Sequence, residues 1–438
     1  MVGDTSFMTG SPMLIALISD HASPLADDIG DADSGGQNVY VRALALALAA
    51  HGHQVTVYTR RTAVSQHPRV ALAPGVDVVH VPAGPARELP KEDLAPFMGD
   101  FGDQLALAWR DRPPDVVHAH YWMSGVAALA GARRTSIPVV ATFHALALER
   151  LRYHPFRFDP AAAQAKGAFA RERERERERE LQADRAGTER TVAQIANAII
   201  ALTSDEVSYL TGPVIGAARA KITVVPAGVD TALFTPDGPA LARNGRPRLV
   251  TVSRLVERKG IRTVIEALAS LPDCELLIAG GPDPSHVSTD PIVRTLRNHA
   301  YLHGVLDRVG FLGRVPHSQV PALLRSADVF VTAPYYEPFG TAALEAAACG
   351  VPVVATAVGG LREHVIDGTT GTLITPADPA GPRSASENPV LAALASAIEA
   401  LIADPAQRAL LGAAGARHAA RYAWPIIADK IIDVYDGL

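Results

Sequence analysis

Short apolar runs that end in small or polar residues, each followed by an amphipathic stretch, constrain this chain more than any other feature. Met13–Ser19, Gln54–Tyr58, Asp115–His118, Pro138–Thr142, Ala198–Leu202 and Lys221–Val225 read as strands, with helical patterns such as Val39–Ala50 and Leu94–Arg110 between them. The pattern then restarts with Arg248–Ser253, Glu275–Ala279, Val309–Leu312, Val329–Thr332, Pro352–Ala355 and Thr372–Ile374. Strands alternating with helices predict parallel sheets covered on both faces. The Pro- and Gly-rich stretch 226–247 separates the two sets and has the composition of a linker.

The expected fold is therefore α/β with two doubly wound domains facing across a cleft. Residues 1–12 form a flexible N-terminus, 13–225 the first domain, 226–247 the linker and 248–423 the second domain. Residues 424–438 form a helix that packs back toward the first domain. Open parallel sheets bind ligands beyond the C-terminal ends of their strands, so chemistry is sought there.

Composition narrows the function. With 41 basic and 46 acidic residues the net charge is −5, which gives no general attraction to nucleic acid. No apolar stretch approaches the 18 residues of a membrane span, and no signal-peptide pattern opens the chain. A cytoplasmic protein with no nucleic-acid partner is expected, its oligomeric state unreadable. Cys274 and Cys349 sit among apolar neighbours and read as small buried side chains.

Glu337-Pro-Phe-Gly-Thr-Ala-Ala-Leu-Glu345 follows a predicted strand. Pro338 keeps Glu337 out of helical geometry, and a helix is expected to start near Gly340 or Thr341. Its free N–H groups would face the cleft as an anion site, flanked by two carboxylates able to accept sugar hydroxyls. Ser253-Arg-Leu-Val-Glu-Arg-Lys-Gly260 offers the Arg254 fork and the Lys259 ammonium, a pair suited to a diphosphate. Ser34-Gly-Gly-Gln-Asn38 places paired glycines before the first helix, where backbone can approach a ligand. No Gly-x-Gly-x-x-Gly occurs, so a nicotinamide cofactor loses its main support. Asp31 and Asp33 lie in a short acidic loop beside Gly35 and Gly36 and read as turn formers rather than metal ligands; no metal is expected. His118 and His120 read as packing or substrate contacts, and His144 lies just past a strand end. The Arg-Glu alternation of Arg171–Glu180 reads as a solvated helix or a mobile excursion.

Glu337 to Glu345, with Ala347-Ala-Cys-Gly-Val-Pro-Val-Val-Ala-Thr-Ala-Val-Gly-Gly360 after it, resembles the Glu-x7-Glu signature of the retaining GT-B glycosyltransferases of family 4. Ser34 to Val41, Val225-Pro-Ala-Gly-Val-Asp230 and Ser253-Arg-Leu-x4-Lys-Gly260 fit the same family in the same order. The resemblance spans residues 13 to about 425. It implies two Rossmann-like domains, a nucleotide-diphosphate sugar as co-substrate, a small-molecule acceptor, and neither cofactor nor metal. By position, Glu337 would hold donor sugar hydroxyls, Glu345 the ribose, and Arg254 and Lys259 the leaving diphosphate. Gly36, Phe339, Gly340 and Thr341 would offer backbone to phosphate and sugar, Val315 would lie near the base, and His144 would contact the transferred sugar. Two subgroups are most similar, one glycosylating an inositol phosphate and the other the sucrose-phosphate synthases. By that similarity Lys91, Tyr121 and Arg185 would cradle an acceptor phosphate, with Asn38 near the acceptor ring. Gln37 and Ala145 depart from the inositol-phosphate pattern, which has Met and Thr there. The competing readings are a sugar-nucleotide epimerase on the same scaffold and a two-lobed sugar-binding protein.

Overall fold

The computed structural model describes residues 11–25, 36–149, 168–376 and 389–438. Asp31, Asp33, Ser34 and most of the expected flexible N-terminus lie outside these residues. The strands form two sheets. The first has the order β3-β4-β2-β1-β5-β6-β7-β8 and the second β11-β10-β9-β12-β13-β14. In the first, β1 (Leu14–Ile18), β2 (Gln54–Arg60), β5 (Val116–His120), β6 (Val139–Thr142), β7 (Ala198–Ala201) and β8 (Ile222–Val224) coincide with expected strands. In the second, β9 (Arg248–Val252), β10 (Glu275–Ala279), β11 (Val309–Gly313), β12 (Val329–Thr332), β13 (Val353–Thr356) and β14 (Gly371–Ile374) do so too.

Two strands were not expected, β3 (Arg69–Ala73) and β4 (Val76–Val81). They form an antiparallel hairpin at the edge of the first sheet, and all other pairings are parallel. β3 is only partly buried and weakly apolar, so its pattern is faint. The hairpin turns at Gly75, which has φ +78°.

The strand order reverses beside β1 in the first sheet and beside β9 in the second. At such points the loops from the two central strands run in opposite directions and leave a crevice. The loops after β1, β5, β9 and β12 therefore open toward one another.

Helix α1 (Gly36–Ala50) buries Tyr40, Val41, Leu44, Ala45 and Leu48. These join a core that runs through both domains and includes Ile427, Ala428, Ile431 and Tyr435 from the last helix. α2 (Met98–Ala108) and α3 (Trp122–Ala132) pack together over the other face of the first sheet. The Arg-Glu repeat lies within α4 (Ala168–Ile195), with α5 (Ser204–Thr211) after it.

The segment 226–247 carries no helix or strand, yet it is not a loose tether. Phe234 is fully buried, and the Arg325 guanidinium donates to the carbonyls of Thr235, Asp237 and Pro239. Val229 pairs with Ala423 in an isolated bridge, so this crossing lies alongside the chain's return to the first domain.

Candidate active site

The cleft encloses about 340 Å³ between the two sheets. A broader depression of about 500 Å³ lies by β7, β8 and the last helix. It is set apart from both crevices, whereas the cleft gathers the loops that follow the central strands.

Gly36, Lys91, Tyr121, His144, Arg254, Lys259, Val315, Glu337, Phe339, Gly340, Thr341 and Glu345 all line the cleft. Asn38 and Arg185, expected beside the acceptor, are not among the residues that line it. Asn38 is turned into the first domain, where its Nδ2 donates to the carbonyl of Ser23. Arg185 is buried behind Tyr121. It donates to Glu189 Oε1 at 2.7 Å and to the carbonyl of Ala145. Glu189 in turn accepts from the Ala147 amide. The Arg185 charge is thus neutralised inside the protein.

On the second domain, α6 (Ile261–Ala267) follows a tight turn, Glu257–Lys259. Gly260 links turn and helix at φ +65°, where a Cβ would lie 1.8 Å from the carbonyl oxygen of Ala333. Only glycine allows this approach, and the approach sets Lys259 beside the loop after β12. There Lys259 Nζ and a Glu337 carboxylate oxygen form an ion pair. Their side chains are 15% and 13% exposed, so neither stands in open solvent. Burial lowers the Lys259 pKa, reinforced by Arg258 and Arg254 and opposed by Glu337. Burial pushes Glu337 upward, but Lys259, Arg258 and Arg254 outweigh it and hold the carboxyl below its usual range. Three cations against one carboxylate leave positive charge for an anionic ligand. Arg258, which also donates to the Tyr336 carbonyl, was missed because it looked like ordinary surface basicity.

Gly340, at φ +91°, caps α9 (Thr341–Ala348). No side chain caps the helix, so its first N–H groups face the cleft. Glu345 lies one turn in and accepts from His317 Nε2 at 3.0 Å. Burial works against protonation of His317, yet Glu345 raises its pKa overall. His317 follows β11 two residues after Val315; its position past a strand end was the signal that could have found it.

On the first domain, Lys91 Nζ lies 3.6 Å from the centre of the Tyr121 ring, and the Arg185 guanidinium is 4.9 Å from it. Tyr121 holds φ +87°, a left-handed conformation costly for an aromatic residue. Asp20, at the end of β1, accepts from Ser124 Oγ at 2.6 Å and pairs with His21 at 3.1 Å. Burial raises its pKa, but His21, Ser124 and Lys91 bring it below the ordinary value. His144 also has positive φ, at 60°. Its Nε2 shares a hydrogen bond of 3.1 Å with His120 Nδ1, and the His120 ring lies 4.2 Å from that of His118. His118 bonds Thr142 Oγ1 and the Tyr435 hydroxyl, so the expectation of packing roles for this pair fits its contacts. Burial, then the charge of His118, drives the His144 pKa down to about 3. Its imidazole is neutral at pH 7 and serves as a hydrogen-bonding group, not a cation.

Two opposed doubly wound domains, with a cationic cluster and a helix start on one and a strained polar wall on the other, define a transferase for a phosphate-linked donor. Residues 34–233 match the family described as Glycosyltransferase Family 4, and residues 238–418 match Glycosyl transferases group 1. The chain belongs to glycosyltransferase family 4, and it is a retaining enzyme that uses a nucleotide-diphosphate sugar. It is 37% identical to the D-inositol 3-phosphate glycosyltransferase of Xylanimonas cellulosilytica, across 96% of each chain. It is 34% identical to the enzyme of that name from Stackebrandtia nassauensis, across 97% of this chain and 91% of the relative. Sucrose-phosphate synthase from Thermosynechococcus elongatus superposes with a TM-score of 0.80 at 30% identity, over 97% of this chain and 98% of that one. The fold is also that of Anabaena HepE, solved with UDP and glucose, at TM-score 0.67 and 19% identity over 97% and 100% of the chains.

Proposed function

We propose that the enzyme transfers a hexosyl unit from a UDP-sugar to a phosphorylated polyol or sugar. The observation that carries the acceptor assignment is the position of Lys91. It faces the cleft from the first domain over Tyr121, apart from the Arg254, Arg258 and Lys259 cluster on the second. Two separated cationic groups suit two anions, the donor diphosphate and an acceptor phosphate. The relatives named D-inositol 3-phosphate glycosyltransferase support the same reading.

In this scheme the Arg254, Arg258 and Lys259 charges and the amides at the start of α9 stabilise the leaving diphosphate. Glu345 holds the ribose, with His317 fixing its carboxylate. Val315 lies beside the base. Glu337 and the backbone of Phe339, Gly340 and Thr341 hold the donor sugar. His144 contacts the transferred sugar as a neutral donor or acceptor. Lys91 and the Tyr121 hydroxyl receive the acceptor phosphate, and Arg185 and Asn38 support the wall behind them. The chemistry takes place without cofactor or metal. The free thiols Cys274 and Cys349 suit the reducing cytoplasm.

The test is a nucleotide-release screen of UDP-, GDP- and ADP-sugars against inositol phosphate, hexose phosphates and their dephosphorylated counterparts. Turnover confined to a UDP-sugar with phosphorylated acceptors is expected. Equal turnover of dephosphorylated acceptors would remove the acceptor assignment.

A further inference from the structure

Away from the cleft, Glu266, His299 and His303 meet on the surface of the second domain. Glu266 is in the last turn of α6. His299 is in the last turn of α7 (Pro291–Leu302), and His303 caps that helix. The spacing of four residues puts both imidazoles on one helix face, with ring centres 4.6 Å apart. One ligand atom from each of the three residues lies within 4.8 Å of the others.

The decisive detail is how His299 meets Glu266. His299 Nε2 is 2.9 Å from Glu266 Oε1, is shut off from solvent and has no hydrogen-bond partner. The two atoms are at contact distance without the alignment of a ring N–H bond. An ordinary His-Glu ion pair would take up that alignment. Two ligand atoms on one ion, each at about 2.0–2.1 Å, are instead roughly 2.9–3.4 Å apart for octahedral to tetrahedral angles.

We propose that Glu266, His299 and His303 bind a divalent transition-metal ion of the zinc class, which clips α7 to α6. Two imidazole nitrogens and one carboxylate oxygen favour zinc, cobalt or nickel over magnesium or calcium. Water completes the shell, because His303 is exposed. The ion takes no part in the transfer. Glu266 is seven residues beyond Lys259, roughly 10 Å along the helical path. The clip instead fixes the far end of the helix that begins directly after Lys259 and Gly260.

The experiment uses untagged, metal-stripped enzyme titrated with Zn²⁺ in a calorimeter, and with Co²⁺ followed by its visible absorption. One ion per chain should bind and raise the melting temperature. His303→Ala removes an exposed ligand without opening a cavity, and Glu266→Gln keeps the side-chain volume. Each should weaken Zn²⁺ binding by roughly tenfold or more while the stripped variants melt with the stripped parent. Turnover of the stripped parent should be unchanged. Failure to bind Zn²⁺ or Co²⁺, or binding equally tight in both variants, would overturn the site. Loss of turnover on stripping that Zn²⁺ restores would overturn the separation of the clip from the reaction.

Discussion

The Tyr336 hydroxyl donates to Glu149 Oε2 at 2.8 Å, a buried bond between residues 187 positions apart. Glu149 comes from the first domain and Tyr336 from the loop that presents Glu337 in the second. Burial lifts the Glu149 pKa to about 7, and burial with the Glu149 charge lifts that of the adjacent Glu206 to about 8. Asp205, Glu189 and Glu363 add to the negative field. The folded state therefore holds protons that the unfolded chain, with carboxyls near 4.5, releases earlier.

That difference fixes the sign of one pH dependence. Raised carboxyl pKa values give stability that is fully present below about pH 4.5 and is lost as pH rises through about 7 and 8. The buried histidines act oppositely. His118 and His144 are lowered from 6.5 to about 3, so their contribution is present above pH 6.5 and is lost on acidification toward 3. Melting temperature should rise from about pH 3 to 4.5, stay nearly level to about 6.5 and fall toward pH 8. Glu206→Gln should flatten that alkaline fall. An unaltered alkaline limb in that variant would show that Glu206 does not carry the proton.

Glu337→Gln and Lys259→Ala should each reduce kcat/KM by roughly a hundred- to thousandfold, the usual loss when a group stabilising transition-state charge is removed. The two should differ in stability. Lys259→Ala strands a mostly buried carboxylate and should lower the melting temperature, whereas Glu337→Gln leaves an amide that can still accept from Lys259. Steady-state kinetics beside thermal melts separate the two effects.

Lys91→Ala should raise the acceptor KM strongly and leave donor binding nearly unchanged. Arg185→Ala should behave differently. It leaves Glu189, which is fully buried, without its partner, and such losses commonly cost about 3–5 kcal/mol. A melt of Arg185→Ala close to the parent, with a raised acceptor KM, would return Arg185 to the acceptor pocket.

Gly359→Ala should cut turnover by about a hundredfold through misplacement of Glu337. A Cβ at Gly359 would lie 2.0 Å from the Glu337 carbonyl oxygen, and φ there is +47°. Turnover near that of the parent would show that the loop tolerates displacement.

The strands and the cleft-facing edge were readable from the sequence because each apolar run carries its own local pattern. Glu337, Glu345, Arg254 and Lys259 were readable because they follow strand ends. Their partnerships were not. The Lys259–Glu337 pair spans 78 residues, Tyr336–Glu149 spans 187 and His118–Tyr435 spans 317. No local periodicity records such distances. Arg185 was expected at the acceptor phosphate because a buried arginine is betrayed only by its carboxylate, and Glu189, four residues on, equally suits a solvated helix pair. The hairpin β3–β4 was hidden by an edge strand that buries little.

The last helix, α13 (Trp424–Asp436), has a consequence for how the protein is made. Ile427, Ala428, Ile431 and Tyr435 belong to the same core as Leu44 and Leu48 of α1, and Tyr435 bonds His118 at 2.7 Å. The first domain to emerge from a ribosome thus lacks part of its interior until the whole second domain has been synthesised. Its nascent form exposes an apolar seam along α1 for the time needed to add some two hundred residues, about 10–40 s at bacterial-type elongation rates. Final closure of the first domain waits for the synthesis of α13, which lies beyond the whole second domain in the sequence.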